Sequence, residues 1–171
     1  MIGRISLTMH DSRKWTYSEL VTPNAGFETV TAVGPPANFA NWSETVGGGN
    51  IEAETVSVNS GLKACKCTSG ADHLSFVFRT LSVVAGVYTI QFRTRGDGTN
   101  AGRYEVLDST HVSDLIALTS TGVTGTTYTL VSRNFTAPAG TLVLTIYFVS
   151  PVAVGGIAYF DDISVKRAMF A

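Results

Sequence analysis

Short runs of alternating apolar and polar residues, cut by turn residues, fill most of this chain. In "HLSFVFRTL" (73–81), Leu74, Phe76 and Phe78 fall on one face and Ser75, Val77 and Arg79 on the other. "VYTIQFRTR" (87–95) sets Tyr88, Ile90 and Phe92 against Thr89, Gln91 and Arg93. "TYTLVSRNFTA" (127–137) is a further strand, and "LVLTIYFV" (142–149) places Leu142, Leu144, Ile146 and Phe148 opposite Thr145 and Tyr147. A period of two is that of a half-buried strand, because successive side chains leave it on opposite faces. Gly, Pro, Asn and Asp punctuate the runs, as in "VGPPAN" (33–38), "VGGGN" (46–50), "GDGTNAG" (96–102) and "APAG" (137–140). Helical periodicity is almost absent. About ten strands with such turns predict an all-β fold, a two-sheet antiparallel β-sandwich. Residues 19–171 form this one domain. Residues 1–18 lack the alternation and are expected to be a short N-terminal arm, in which Arg4, Arg13, Lys14 and Trp15 are candidates for docking onto a partner.

The last strand, "AYFDDISV" (158–165), carries two adjacent carboxylates, Asp161 and Asp162. If Ile163 and Val165 face the core, strict alternation turns Asp161 and Tyr159 the same way and Asp162 to solvent. An inward carboxylate is costly unless it is paired or hydrogen-bonded. Backbone N–H donors at a sheet edge satisfy it without a metal; a cation is the other solution.

Composition narrows the function classes. The 171 residues carry a net charge of −1 and are 44% apolar, enough for a sizeable core and without the basic excess of a nucleic-acid binder. No apolar run reaches the length that spans a membrane. "MIGRISLTMHDSRKW" has no apolar core of a secretory signal, so export by that route is not expected unless a signal has been removed. Cys65 and Cys67, the only two cysteines, sit side by side on one strand face, which is poor disulfide geometry. They are expected as free, buried thiols. No GxSxG elbow, P-loop or zinc motif occurs, and Asp161 and Asp162, on opposite faces, cannot act as a catalytic pair with each other, so no enzyme activity is expected.

The order of four stretches resembles the family 4/9-type carbohydrate-binding modules, which are jelly rolls. They are "LVTPNAGFE" (20–28), "NSGLKACKCTS" (59–69), "LSVVAGVYTIQFRTRG" (81–96) and "GIAYFDDISVK" (156–166), with "TYTLVSRNFTAPAG" as a late strand and turn. The resemblance covers about residues 20–167; Cys65 and Cys67 stand where aliphatics are usual, and Ala85 where proline is common. It implies a structural Ca²⁺ between Glu28 and Asp161, with backbone carbonyls near Gly61–Lys63 and Glu54 as further ligands. It also implies a glycan face opposite the core, for which Gln91, Arg93, Arg103 or Tyr104 (depending on register) and Tyr147 are the candidates. Trp42 is expected to pack in the core.

A sugar-binding module normally accompanies a catalytic domain and is exported, and neither is expected here. The reading is therefore a non-catalytic bacteriophage virion protein, capsid-decorating or tail-associated, that aids adhesion to host glycans. It would assemble in the host cytoplasm with other virion proteins or copies of itself. The alternative is a carbohydrate-binding module of a secreted glycoside hydrolase system.

Overall fold

A computed structural model describes residues 15–32, 35–72 and 74–170. Thirteen strands run through them: β1 (Trp15–Glu19), β2 (Val30–Ala32), β3 (Asn38–Phe39), β4 (Ser43–Thr45), β5 (Asn50–Glu54), β6 (Ala64–Thr68), β7 (Phe76–Ser82), β8 (Gly86–Arg95), β9 (Arg103–Asp108), β10 (Ser113–Ser120), β11 (Thr129–Ala137), β12 (Val143–Val149) and β13 (Ile157–Phe170). One sheet has the order β11-β8-β13-β6-β5, with β1 also on β13; the other has the order β10-β9-β12-β7-β4. All pairings are antiparallel, and β2 and β3 form a small ribbon. This is the expected all-β sandwich of jelly-roll type.

The core lies between the two sheets. Tyr88, Ile90 and Phe92 of β8 meet Leu144, Ile146 and Phe148 of β12, all at most 1% exposed. Phe92 stands edge-on to Phe148 at 4.9 Å and to Tyr104 at 5.0 Å. Trp42 is buried, as expected, against Phe27 and Phe148, and its indole N–H donates to the Asn24 carbonyl at 2.9 Å. Cys65 and Cys67 are free and fully buried, with sulfurs 3.7 Å apart. They fill space between Ile51 and Phe160 as small apolar side chains do.

β1 begins at Trp15 and pairs with the end of β13, from Trp15↔Phe170 to Glu19↔Lys166. The expected arm, 1–18, thus overlaps a sheet strand in its last four residues. Arg4, Arg13 and Lys14 lie outside the described residues. Glu19 fastens this end, its Oε1 accepting the N–H groups of Leu20, Val21 and Val165 at 2.9–3.0 Å.

Three sequence expectations need correction. Asp162, expected to face solvent on the side opposite Asp161, is half-buried and hydrogen-bonded by the same two residues as Asp161, Asn59 and Ser60. Tyr104 is a core residue, 2% exposed; alternation along β9 turns Arg103, not Tyr104, outward. Asp161 does not share a face with Ile163. β13 pairs Asp161 with Arg93 but Ser164 with Gln91, so three steps on β13 match two on β8. The extra residue is a β-bulge, and Asp162 carries it at φ +50°, a left-handed conformation that aspartate tolerates better than most side chains. Alternation resets there. Ile163 and Val165 point into the core, while Tyr159 and Asp161 share the outward side with their partners Arg95 and Arg93.

Candidate functional site

Asp161 is fully buried although it leaves the sheet outward, because residues 55–63 cover it. Its Oδ2 accepts the backbone N–H of Asn59 (2.9 Å) and of Ser60 (3.2 Å), and its Oδ1 accepts that of Asp162 (2.8 Å). Asp162 is half-buried and also held by this loop, accepting from Asn59 Nδ2 at 2.6 Å and Ser60 Oγ at 2.5 Å. Burial, and then the neighbouring Asp162, push the Asp161 carboxyl up to about 6 despite its three N–H donors.

Glu28 comes to the same place through the turn 22–29. Asn24, at φ +64°, organises it: its amide donates to the Thr29 and Ala40 carbonyls, and its Oδ1 accepts the Thr29 N–H. Arg79 grips the turn from β7 through the carbonyls of Thr22 and Pro23 at 2.8 and 2.7 Å. Gly26 then sits under three carboxylates. A methyl group there would stand 3.3 Å from Asp161 Oδ1, 3.6 Å from Asp162 Oδ1 and 3.7 Å from Glu28 Oε1. Gly61, at φ +62°, passes so close to Glu28 that any side chain would overlap its carboxylate.

The donor set fits a hard cation in part. Glu28 Oε1 is buried with no hydrogen-bond partner, while Oε2 accepts the Leu62 N–H at 2.9 Å. Among the described residues, none of Glu28, Asp161 and Asp162 forms an ion pair. Nor does any group of three His, Cys, Asp or Glu side chains there suffice to hold a metal by itself. Two carboxylates would need backbone carbonyls beside them to complete the six to eight oxygens that Ca²⁺ takes. Glu54, the further ligand expected from the resemblance, instead caps its own loop, accepting from Val56 and Ser57.

The residues expected to bind a glycan are divided between two surfaces. Gln91 and Arg93 lie on the outer side of the β8 sheet, where Gln91 donates to Ser132 Oγ at 3.2 Å. Arg103 and Tyr147 lie on the outer side of the β12 sheet. They could not have been one site, because β8 and β12 belong to different sheets.

Tyr147 stands in an aromatic cluster that the sequence reading did not single out. The β-ladders align Ser43, Phe78, Tyr147 and Glu105 in one row across four strands. Phe78 and Tyr147 are stacked at 5.5 Å and 25°, and Phe76 meets them at 5.9 and 5.7 Å. All three rings are half-buried on the outward face, since it is Val77, between the two phenylalanines, that is fully buried. The signal was present: "FVF" is apolar on both faces, which an ordinary half-solvated strand is not. Glu105 ends the row; burial, then the charge of Asp114 on β10, raise its carboxyl. Arg103 lies one row away, its Nε donating to the Ser150 carbonyl at 2.9 Å.

No family model and no curated protein matches the chain in sequence. Solved structures do match in shape. A cyclase from Fischerella sp. TAU, a Stig cyclase, superposes with a TM-score of 0.68 at 15% identity, over 91% of this chain and 100% of its own. The CBM22-1 xylan-binding domain of Paenibacillus barcinonensis Xyn10C does so at 0.59 and 13%, over 85% and 92%. The enzymatically active domain of tailspike protein 4 from bacteriophage CBA120 matches at 0.62 and 15%, over 88% of this chain and 21% of that one. At such identities the likeness establishes the fold alone: this chain is an all-β jelly-roll sandwich, a fold it shares with binding domains and a cyclase alike.

Proposed function

We propose that this chain is a non-catalytic virion structural protein, capsid-decorating or tail-associated, whose jelly roll holds host glycans on Phe76, Phe78 and Tyr147. The observation that carries the reading is that aromatic row. Three adjoining rings kept half-exposed on a sheet surface are costly in water unless something covers them. A pyranose ring presents a flat array of C–H groups that stacks on such faces, with hydroxyls left over for polar neighbours. The tailspike likeness supports the virion setting. The likeness to a xylan-binding domain supports the alternative, a module of a secreted glycoside hydrolase system using the same face.

Many copies on one particle turn a weak sugar contact into firm attachment, with gains of about 10²–10⁴ where geometry permits. Arg4, Arg13, Lys14 and Trp15 would dock the domain onto neighbouring virion proteins or copies of itself. Glu28 and Asp161 would hold a structural Ca²⁺, whose charge offsets the buried carboxylates. The two residues belong to the opening turn and the closing strand, so the ion would tie the ends of the domain together.

Affinity electrophoresis through gels containing soluble polysaccharides tests the reading. Retardation by at least one glycan supports it; equal mobility in every gel overturns it.

A further inference from the structure

The charge around the aromatic row bears on which glycans the row accepts. Of the residues that the five strands β4, β7, β9, β10 and β12 turn outward, three are charged: Glu105, Asp114 and Arg103. Glu105 lies directly across from Tyr147 in the ladder, so it stands beside any sugar stacked on that ring. Asp114 faces Leu107 on the next strand and lies near enough to Glu105 for its charge to raise the Glu105 carboxyl. Arg103 is displaced toward the loop end, opposite Val149 rather than Tyr147, and is engaged with Ser150. The remaining outward neighbours are uncharged: Ser43, Thr45, Thr80, Thr145 and Val149.

We infer that Glu105 and Asp114 restrict this face to uncharged glycans, excluding chains that bear uronic or sialic acid carboxylates. The inference rests on the glycan reading of the row. Hydroxyl groups of a neutral sugar can donate to the carboxylate oxygens, and a vicinal diol suits the paired acceptors. A sugar carboxylate in the same place would meet like charge a few ångströms away, in a site partly shielded from water. Repulsion of that kind is selectivity by exclusion rather than by attraction.

The test uses matched polysaccharides, so that only charge differs. Native polygalacturonate, alginate and glucuronoxylan, each beside its own carboxyl-reduced form, join a panel of neutral glucans, galactans and mannans in affinity gels. The wild-type chain is expected to be retarded by neutral or reduced polymers and not by the native acidic ones. The double variant Glu105→Gln/Asp114→Asn is expected to gain about tenfold in affinity for an acidic polymer whose reduced form binds, the scale of a screened like-charge contact. Near-UV circular dichroism checks that it folds. Equal or stronger wild-type retention on the native acidic polymers overturns the inference and leaves the glycan reading intact. Continued exclusion of acidic chains by the folded double variant overturns the assignment to these two residues. Absence of retention on every polymer overturns both readings together.

Discussion

Asp161 and Ile163 are two residues apart on one strand and lie on opposite faces of it. The bulge at Asp162 separates them, leaving Ile163 in the core and Asp161 under the 55–63 loop. A carboxylate placed between sheet and loop, beside Glu28, can tie the closing strand to two distant segments. Neither a core carboxylate nor a solvated one could.

That placement predicts calcium-dependent stability. Calcium should raise the melting temperature of the wild-type chain, and chelator should reverse the shift. Asp161→Ala should remove the response and lower stability by about 1–3 kcal/mol, the cost of leaving the Asn59 and Ser60 N–H groups without their acceptor. Differential scanning calorimetry with and without chelator measures both effects. An unchanged melting temperature in all conditions would remove the metal from the account.

The same carboxyl gives a pH dependence whose sign is fixed. Its folded pKa, about 6, lies above the ordinary value of 3.8, so the folded state holds the proton more tightly. In chelator, its contribution to stability should be greatest near pH 4 and be lost as pH rises through 6, by about 3 kcal/mol. Asp161→Asn should flatten this part of the profile. Denaturant titrations between pH 4 and 8 read it directly, and a contribution that grows with rising pH contradicts it.

Gly61 should tolerate no side chain. Gly61→Ala meets both an unfavourable φ and the Glu28 carboxylate, so it should cost about 1–3 kcal/mol and weaken any calcium response. Ser60→Ala, on the residue before it, loses the hydroxyl contact to Asp162 and should cost less than Gly61→Ala. Urea denaturation of the two variants decides the order.

Cys65 and Cys67 should be unreactive in the folded protein. Both are fully buried, and burial pushes the Cys65 thiol well up, away from the nucleophilic thiolate. A thiol reagent such as Ellman's should titrate neither before unfolding and both after it. Prompt reaction of the native chain would contradict the packing described above.

Much of the fold is legible in the sequence because it is local. Tyr88, Ile90 and Phe92 alternate with Thr89, Gln91 and Arg93, and the structure buries the first set as the period demands. The site is less legible because its determinants are not local. Alternation carries across Asp162 on paper, but one residue in a left-handed conformation resets it. Gln91 and Tyr147 both read as outward, yet nothing in either strand says which sheet it joins. Phe76 and Phe78 share one face of their run, but the run does not say which way that face turns, and only their partner Tyr147 on β12 shows that it is an outer surface.

The central claim is that one face, the row of Phe76, Phe78 and Tyr147, holds the glycan. Its most direct test is affinity electrophoresis on whichever polysaccharide retards the wild-type chain, comparing Tyr147→Ala with Gln91→Ala on the opposite face. Tyr147→Ala is predicted to lose about tenfold or more in affinity while Gln91→Ala keeps wild-type retention. Loss with Gln91→Ala and not with Tyr147→Ala would place the glycan on the other sheet and contradict the account.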